Sequence, residues 1–391
     1  MTGQLDALEI NHTLIQINNI ENNISLVEKS VDSIKIPGAK LFFKFFTCIL
    51  NEDNPSDTQK ILKELEMMDK KLDNSFNITL SALDVNNLQV NAISAKASMS
   101  EVSHLVMLDD SVGYKKRIAA EVSNLHRLAV TQIELGIKAL EHFDAANSTG
   151  NGELKELIGK YLKISSFVAE AIGYMQYSYN MILQRNVKVE ERLGKDFEKS
   201  SDYKLGKEIE DYSRTVLNSY DDFLSKDLPK NVPKWCKKIF LGEKFQLKNS
   251  WCGYYVYLSK DKLYWGLNVV ANVAPDRRSD FEFNLDEDET LWDICVSDGY
   301  NKEAQVFSSD CSNVYGETIP LLTWVGSQKG MRDKRDKYTI CYCFERLIIR
   351  YPRKTDELIG AKMVGHADLR YEQIFTSKFS QTDGKAQWEV V

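Results

Sequence analysis

Residues 167–183, FVAEAIGYMQYSYNMIL, form a run that is apolar around most of the circumference of a helix. A helix that is apolar on all sides is buried among other elements, whereas a surface helix shows one apolar stripe. Proline is absent between Pro55 and Pro229, and because proline breaks helix interiors, this interval favours long helices. The run therefore predicts the central and most buried member of a helical bundle.

Three other segments carry apolar residues three and four positions apart, the spacing of helices that pack side by side. These apolar residues are Ile17, Ile20, Ile24, Val27, Val31 and Ile34; Ile61, Leu65, Met68, Leu72, Phe76, Leu80 and Leu83; and Ile118, Val122, Leu125, Ala129, Ile133, Ile137 and Leu140. A fourth helix is expected to begin near Glu153 and to include the 167–183 run, with a continuation or a fifth helix after residues 198–202, EKSSD. Because a helix of about 45 residues is roughly 65–70 Å long, we expect residues 1–228 to form an elongated bundle.

The second half of the chain differs in composition and in pattern. All six tryptophans and six of the seven cysteines follow residue 228. Aromatic and β-branched runs alternate there with turn residues, and residues 251–273, WCGYYVYLSKDKLYWGLNVVANV, predict a hairpin. We expect about eight antiparallel strands in a sandwich or a barrel. The predicted fold class is α+β and multidomain, with an elongated long-helix bundle over 1–228 followed by an antiparallel β-sandwich-like domain over 229–391.

The composition limits the possible functions. The net charge is −7, which argues against broad nucleic-acid binding because such binding needs a basic face. Residues 1–12, MTGQLDALEINH, contain neither the basic nor the apolar region of a secretory signal, and no window reaches the roughly 18 uncharged apolar residues of a spanning helix. We therefore expect a protein that is cytoplasmic as synthesised, that keeps its cysteines reduced, and that acts at a target membrane if it is released.

No motif for catalysis, metal binding or cofactor binding stands out. Residues 148–153, STGNGE, lack the preceding strand and the lysine of a phosphate loop, and we interpret them as a helix–helix turn. The acidic run 286–289, DEDE, lacks the ligand spacing of a calcium loop. The five histidines show no ligand or catalytic spacing. The sequence therefore predicts no enzymatic activity, no metal site and no cofactor, with a catalytic site assembled from distant residues of the β domain as the alternative.

Tyrosines and a tryptophan crowd the predicted hairpin of the second domain. Because alternate residues of a strand face opposite sides, some of these rings face solvent unless both sides of the sheet are covered. Exposed rings suit the recognition of a sugar, a lipid headgroup or a protein, whereas buried rings belong to the core. The candidate ligand- or receptor-binding residues are Tyr255, Tyr257, Tyr264 and Trp265.

Residues 37–50, PGAKLFFKFFTCIL, place four phenylalanines within five positions. Pro37 and Gly38 end the first helix and residues 51–57, NEDNPSD, introduce the next, so the segment is expected at one tip of the bundle. An interfacial helix holds lipid phosphates with its lysines while its rings enter the acyl boundary. The candidate membrane-contact residues are Lys40, Leu41, Phe42, Phe43, Lys44, Phe45 and Phe46. Packing of this segment against the bundle end or the second domain is the alternative.

The three helical seams and the apolar segment 37–50 make residues 1–228 resemble the α-helical pore-forming toxins of the cytolysin A and haemolysin BL type. The resemblance is one of architecture and involves no sequence motif. It implies a non-enzymatic protein whose soluble form hides the apolar segment, releases it at a membrane and assembles copies into a pore. The second domain would then bind a receptor, a glycan or a companion chain.

The chain also departs from that family. Its apolar segment is short, contains lysines and follows the first seam, whereas the family's apolar head usually lies between later helices. The alternative function is a cytosolic scaffold, in which the bundle forms homo- or hetero-oligomeric coiled coils and the β domain binds a protein partner. Both hypotheses predict an oligomer, and only the first predicts contact with lipid.

Overall fold

The computed structural model describes residues 83–108, 112–147, 150–259, 266–270, 278–285, 291–297, 304–314, 317–325, 338–350, 358–364, 371–377 and 380–391. The backbone contacts divide the chain into two compact units. Among the described residues, the helical unit contains 83–143 and 160–231, and the β unit contains 144–147, 150–159 and the residues from 232 onward. The apolar segment 37–50 and its candidate membrane-contact residues lie outside the described residues. The architecture confirms the predicted α+β fold class, with long helices followed by an antiparallel sheet.

Four long helices make up most of the described N-terminal part: α1 (Leu83–Met107), α2 (Val112–Asn147), α3 (Leu154–Leu193) and α4 (Ser201–Asp222). A 3₁₀ turn over Gly194–Lys199 leads from α3 to α4. The hydroxyl of Ser200 caps α4 by accepting a hydrogen bond from the backbone N–H of Tyr203 (3.1 Å), as expected for a serine at this position. The helical path continues through a π-helical turn, Phe223–Asp227, and the short α5, Leu228–Lys230.

Helix α3 is buried along nearly its whole middle part. Between residues 161 and 183 every residue is buried except Glu170 and Asn180, which are half-buried. This burial confirms the prediction from the all-round apolar run at 167–183, because a helix with apolar side chains on every side must be surrounded by other elements. The starts of α3 and α4 also lie where the sequence predicts a fourth and a fifth helix.

Buried side-chain amides connect the helices of this unit. Gln132 of α2 is fully buried, and its Nε2 donates to the carbonyl oxygens of Leu88 on α1 (3.0 Å) and Phe167 on α3 (2.9 Å). Asn91 of α1 donates to the Oε1 of Gln132 (2.8 Å). Between α3 and α4, the Nε2 of Gln176 donates to the hydroxyl of Ser213 (2.9 Å). Because a buried polar group without a partner is costly, these bonds favour one relative position of the helices over others.

Helices α2 and α3 approach each other closely at Gly136. A Cβ atom built on this glycine would lie 2.5 Å from Cγ2 of Val168 and 3.2 Å from Cε2 of Phe223, in the π-helical turn. Real Cβ atoms do not approach other heavy atoms so closely. The absence of a side chain at Gly136 therefore allows the packing of α2 against α3.

We expect Gly136→Ala to destabilise the helical unit by about 1–2 kcal/mol, because overpacking costs typically 1–3 kcal/mol and the better helix propensity of alanine returns only part of it. The free energy of unfolding, measured by urea denaturation with circular dichroism, checks this. In a Val168→Ala background, which removes the nearest methyl group, the same change should cost less. If Gly136→Ala lowers the free energy of unfolding equally in both backgrounds, the contact with Val168 does not cause the destabilisation.

A histidine stacks on a tyrosine where α2 meets α4. The rings of His126 and Tyr212 are 4.2 Å apart and nearly parallel, and the Tyr212 hydroxyl donates to Oε1 of Glu208 (2.6 Å). The Nε2 atom of His126 is buried and makes no hydrogen bond with any residue of the described part. Burial lowers the pKa of His126 below its ordinary value of 6.5, because the imidazolium form loses its hydration.

This pKa shift predicts that the helical unit loses stability as the pH falls below 6.5. The unfolded chain binds a proton at His126 more readily than the folded chain does, so the stabilising contribution is complete above pH 6.5 and decreases below it. The free energy of unfolding should fall from about pH 7.5 to about pH 5, and the fall should be smaller in His126→Phe, which keeps an aromatic ring against Tyr212. His104→Phe, at an exposed position of α1, controls for the loss of an imidazole; an unchanged pH dependence in His126→Phe would contradict the assignment.

Among the residues that the structure describes, thirteen antiparallel strands form one hydrogen-bonded sheet in the β unit. The strands are β1 (Asn151–Glu153), β2 (Phe245–Asn249), β3 (Tyr255–Ser259), β4 (Gly266–Val270), β5 (Asp280–Leu285), β6 (Trp292–Ser297), β7 (Ala304–Val314), β8 (Glu317–Val325), β9 (Thr339–Cys343), β10 (Arg346–Arg350), β11 (Leu358–Val364), β12 (Tyr371–Ser377) and β13 (Trp388–Val390). The short α6 (Lys237–Phe240) precedes them except for β1. Strands β3 and β4 form the hairpin that the sequence predicts, with Tyr255 aligned to Val270 and Ser259 to Gly266.

The strand pairings close on themselves through β13. The path runs β10–β11–β12–β4–β3–β2–β13 and returns to β10, as in a barrel. Trp388 of β13 is buried, and its indole N–H donates to the carbonyl of Ile359 on β11 (3.0 Å). Because β13 pairs with β2, the residues just before β13 lie beside the turn that follows β2.

The interpretation of residues 148–153 as a helix–helix turn is wrong for residues 151–153. These residues form β1 and pair with β9, with Asn151 aligned to Cys343 and Glu153 to Cys341. A strand of three residues is too short to show an alternating pattern, and its partner lies far along the chain. Local sequence reasoning therefore cannot distinguish it from a turn.

Candidate functional site

An exposed pair of aromatic residues lies in the turn between β2 and β3. We call residues 250–255, SWCGYY, the aromatic turn. The Trp251 side chain is among the few large apolar groups that remain open to solvent, with 42% of the residue exposed, and Tyr254 is 36% exposed. Tyr255, the first residue of β3, is half-buried. Exposed tryptophan at a turn is a feature of binding surfaces, because its ring supplies a large contact area and few rotatable bonds.

Asn249 fixes the backbone of the aromatic turn. It is fully buried, and its Oδ1 accepts hydrogen bonds from the backbone N–H groups of Trp251 (3.1 Å) and Cys252 (3.3 Å). Gly253 has a φ of +73° and donates its N–H to the carbonyl of Asn249 (2.9 Å). Side-chain bonds of this kind are typical of turns that begin with asparagine, and the positive φ explains the glycine.

The segment before β13 supports the turn from the other side. The Nδ2 of Asn249 donates to the carbonyl of Lys385 (2.9 Å), and the N–H of Ser250 donates to the carbonyl of Gln387 (2.9 Å). A Cβ built on Gly384 would lie 3.5 Å from the backbone of Trp251, so this glycine packs directly against the turn. Two stretches that are distant in sequence thus hold Trp251 in place.

Cations lie against two rings of the site. The Lys385 Nζ is 5.1 Å from the ring centroid of Trp251, and the guanidinium carbon of Arg278 is 3.5 Å from that of Tyr255. Both distances are within the range of cation–π attraction. Arg278 covers part of the Tyr255 ring, whereas Trp251 remains exposed beside Lys385. The arrangement can therefore offer a flat apolar surface and a positive charge to the same ligand.

The neighbouring charges of the sheet are paired. Glu389 of β13 lies between Lys248 (3.4 Å) and Arg346 (3.0 Å). The Oδ1 of Asp383 accepts from the backbone N–H of Lys385 (3.0 Å) and caps the 3₁₀ turn Gly384–Ala386. Within the described part of the chain, no carboxylate forms an ion pair with the Lys385 ammonium group.

The sequence-predicted binding residues only partly coincide with this site. Tyr255 and Tyr257 lie on β3, where the backbone register aligns them with Val270 and Asn268 of β4. Tyr264 and Trp265 lie outside the described residues. The structure therefore places Tyr255 at the aromatic turn and leaves the role of the other three as a prediction.

Trp251, Tyr254 and Lys385 were not among the candidate residues from the sequence. The signal for the first two was the glycine that follows Trp251, because glycine within an aromatic run marks a turn, where rings are exposed. For Lys385 no local signal exists, since its carbonyl meets Asn249 across 136 positions of the chain. Only the pairing of β13 with β2 brings it to the site.

The described residues contain no group of three or more His, Cys, Asp and Glu side chains that could hold a metal ion. None of the helices in the described ranges is long and apolar enough to cross a membrane.

In sequence comparisons, no protein-family model matches the chain and no curated protein is significantly similar to it. Inference about function therefore depends on the geometry of the site and on the sequence itself.

We expect Asn249→Ala to release the aromatic turn. Removal of the amide leaves two backbone N–H groups and a carbonyl oxygen without partners, which costs about 2–3 kcal/mol. The backbone amides of Trp251 and Cys252 should exchange with deuterium faster than in the unmodified protein, as hydrogen-exchange mass spectrometry can measure. Trp251→Ala is the matched control: its exposed ring takes no part in these bonds, so the same amides should stay protected. Equal protection in both variants would contradict the role of Asn249.

Proposed function

We propose that the protein is a non-enzymatic binding protein that acts at membranes. The aromatic turn of the β unit recognises a partner on the target surface, and the apolar segment 37–50 of the N-terminal part contacts lipid. Copies of the chain then assemble, as the resemblance to α-helical pore-forming toxins implies. The observation that carries the recognition half is the exposed Trp251, held in place by the buried Asn249.

Pre-organisation is the physical reason for assigning recognition to this turn. Binding loses free energy when flexible loops and side chains become ordered. The aromatic turn avoids much of this loss because Asn249 and the segment before β13 already fix its backbone. An indole ring that is 42% exposed also gains hydrophobic free energy when a partner covers it. These two features support the proposal that the turn recognises a partner with little rearrangement.

The membrane half of the proposal is supported by the sequence of the apolar segment. Burial of a phenylalanine side chain contributes roughly 1.5–3 kcal/mol, so the four rings would together contribute about 6–12 kcal/mol before ordering costs. Lys44 stands between the phenylalanines in the sequence, and Lys40 stands two positions before them. Their ammonium groups can therefore reach lipid phosphates. This combination suits interfacial binding better than complete insertion, since ten residues, Leu41–Leu50, cannot span a bilayer.

Dye leakage from liposomes tests the membrane half. We expect the unmodified chain to release calcein from vesicles of phosphatidylcholine and phosphatidylglycerol. Replacement of Phe42, Phe43, Phe45 and Phe46 by serine should abolish the release while the far-ultraviolet circular dichroism stays the same. Replacement of the same four residues by leucine is the control, because it keeps the apolar character of the segment, and it should retain most of the release.

Two outcomes would contradict this half of the proposal. The first is that the unmodified chain neither binds nor permeabilises vesicles, with or without cholesterol. The second is that the serine variant permeabilises them as well as the leucine variant does. Either result would favour the cytosolic scaffold, in which the helices form coiled coils and the β unit binds a protein.

A further inference from the structure

We infer that the aromatic turn binds an acidic saccharide. One sugar ring stacks on Trp251, and its carboxylate or sulfate group pairs with the ammonium group of Lys385. This inference depends on the proposed recognition function and adds the chemical class of the ligand. It is carried by the juxtaposition of the exposed Trp251 ring of the aromatic turn with Lys385, and by the uncharged polar residues that precede Lys385 in the chain.

Trp251 provides the stacking surface. Pyranose rings present a face of C–H groups that packs favourably on the electron-rich face of an indole. Such stacking requires a ring that is both exposed and fixed. Trp251 is 42% exposed, and its backbone is held by Asn249 and packed on Gly384, which limits the positions that the ring can reach.

Lys385 provides the preference for a negative charge. Its Nζ lies 5.1 Å from the centroid of the Trp251 ring, so an anionic substituent of a stacked sugar would be within reach of the ammonium group. The other cations near β13, Lys248 and Arg346, share the carboxylate of Glu389. Asp383, the acidic residue closest in sequence, uses its carboxylate to accept the Lys385 N–H. Arg278, the other cation of the site, lies over the Tyr255 ring. In the ranges that the structure describes, no carboxylate pairs with the Lys385 ammonium group, which can therefore pair with an anionic ligand at this turn.

Three uncharged polar residues, which we call the rim, precede Asp383 and the turn Gly384–Ala386 that carries Lys385. Ser380, Gln381 and Thr382 are exposed, and the hydroxyls of Ser380 and Thr382 lie 2.9 Å apart. The carbonyl of Gln381 accepts from Nε2 of Gln387 (2.9 Å), which ties the rim to the segment before β13. Hydroxyl and amide groups both donate and accept hydrogen bonds, as the hydroxyls of a sugar require.

This rim favours a saccharide over a lipid surface. A membrane-inserting loop buries its apolar residues in the acyl boundary, and its neighbours must tolerate that depth. Hydroxyl and amide groups would lose their hydration there without compensation. Against a saccharide the same groups exchange water for sugar hydroxyls. The polar rim is therefore compatible with a sugar on Trp251 and opposes insertion of this turn into lipid.

Isothermal titration calorimetry on the full chain tests the ligand class. The probes are 3′-sialyllactose and a sulfated chondroitin disaccharide, with lactose as the neutral reference. We expect both acidic probes to bind more tightly than lactose by about tenfold, which corresponds to roughly 1.4 kcal/mol. Trp251→Ala should abolish measurable binding of all three. Lys385→Gln should reduce the affinity for the acidic probes to that for lactose and leave lactose unaffected.

Two matched variants control for surface changes as such. Phe344→Ala removes another exposed aromatic side chain of the β unit, 57% exposed in the turn between β9 and β10. Lys238→Gln removes an exposed lysine from α6. Both should bind the three probes like the unmodified chain. Far-ultraviolet circular dichroism of every variant shows that a loss of binding is not a loss of fold.

Erythrocyte ghosts, with and without sialidase treatment, separate failure of this inference from failure of the proposed function. One outcome is that Trp251→Ala lowers binding to ghosts, while neither sialidase nor the acidic probes change the binding of the unmodified chain. Recognition by the turn would then stand, and the assignment of an acidic saccharide as its ligand would be wrong. If Trp251→Ala binds ghosts normally, both are wrong. If the unmodified chain binds protein-free vesicles and Trp251→Ala abolishes that binding, the turn binds lipid and the inference is wrong.

Discussion

Burial of α3 on every side is the constraint from which the architecture of the helical unit follows. A helix with a single apolar face can end its packing at one neighbour, but α3 is buried at almost every position between 161 and 183, which requires several neighbours. The other helices must therefore be long enough to cover it. The close approach of α2 at Gly136, where the Val168 side chain occupies the space of a missing Cβ, shows how tightly one of them does so.

Polar groups inside this packing select one arrangement of the helices. Apolar side chains tolerate small sliding movements of one helix along another, but the amide of Gln132 satisfies backbone carbonyls on both α1 and α3 only in one position. The stacked pair His126 and Tyr212 adds a contact whose strength depends on the charge of the imidazole. The helical unit is thus stabilised by extensive hydrophobic burial together with a few polar contacts. These contacts fix the position of one helix along another, and we expect one of them, the stacked pair, to depend on pH.

The sequence predicted those features that local periodicity determines. The repeat of apolar residues located α2, and the all-round apolar run located α3, because a 3.6-residue period is visible in one segment alone. The β3–β4 hairpin was also visible in one segment alone, as two aromatic and β-branched runs around a polar turn. By contrast, β1 was missed because its three residues acquire their conformation from β9, about 190 positions away, as the N–H of Phe344 bonded to Asn151 Oδ1 illustrates.

The candidate site was missed for a related reason, and the reason indicates how the site is built. Asn249 and the segment before β13 hold the backbone of Trp251, and this support depends on the pairing of β13 with β2. Closure of the sheet by the last strand therefore has a second consequence besides removing free strand edges. It brings Lys385 to Trp251 and joins an apolar and a cationic group that the chain encodes at two distant places. Because neither stretch alone provides both groups, the proposed binding chemistry of this unit depends on its closed topology.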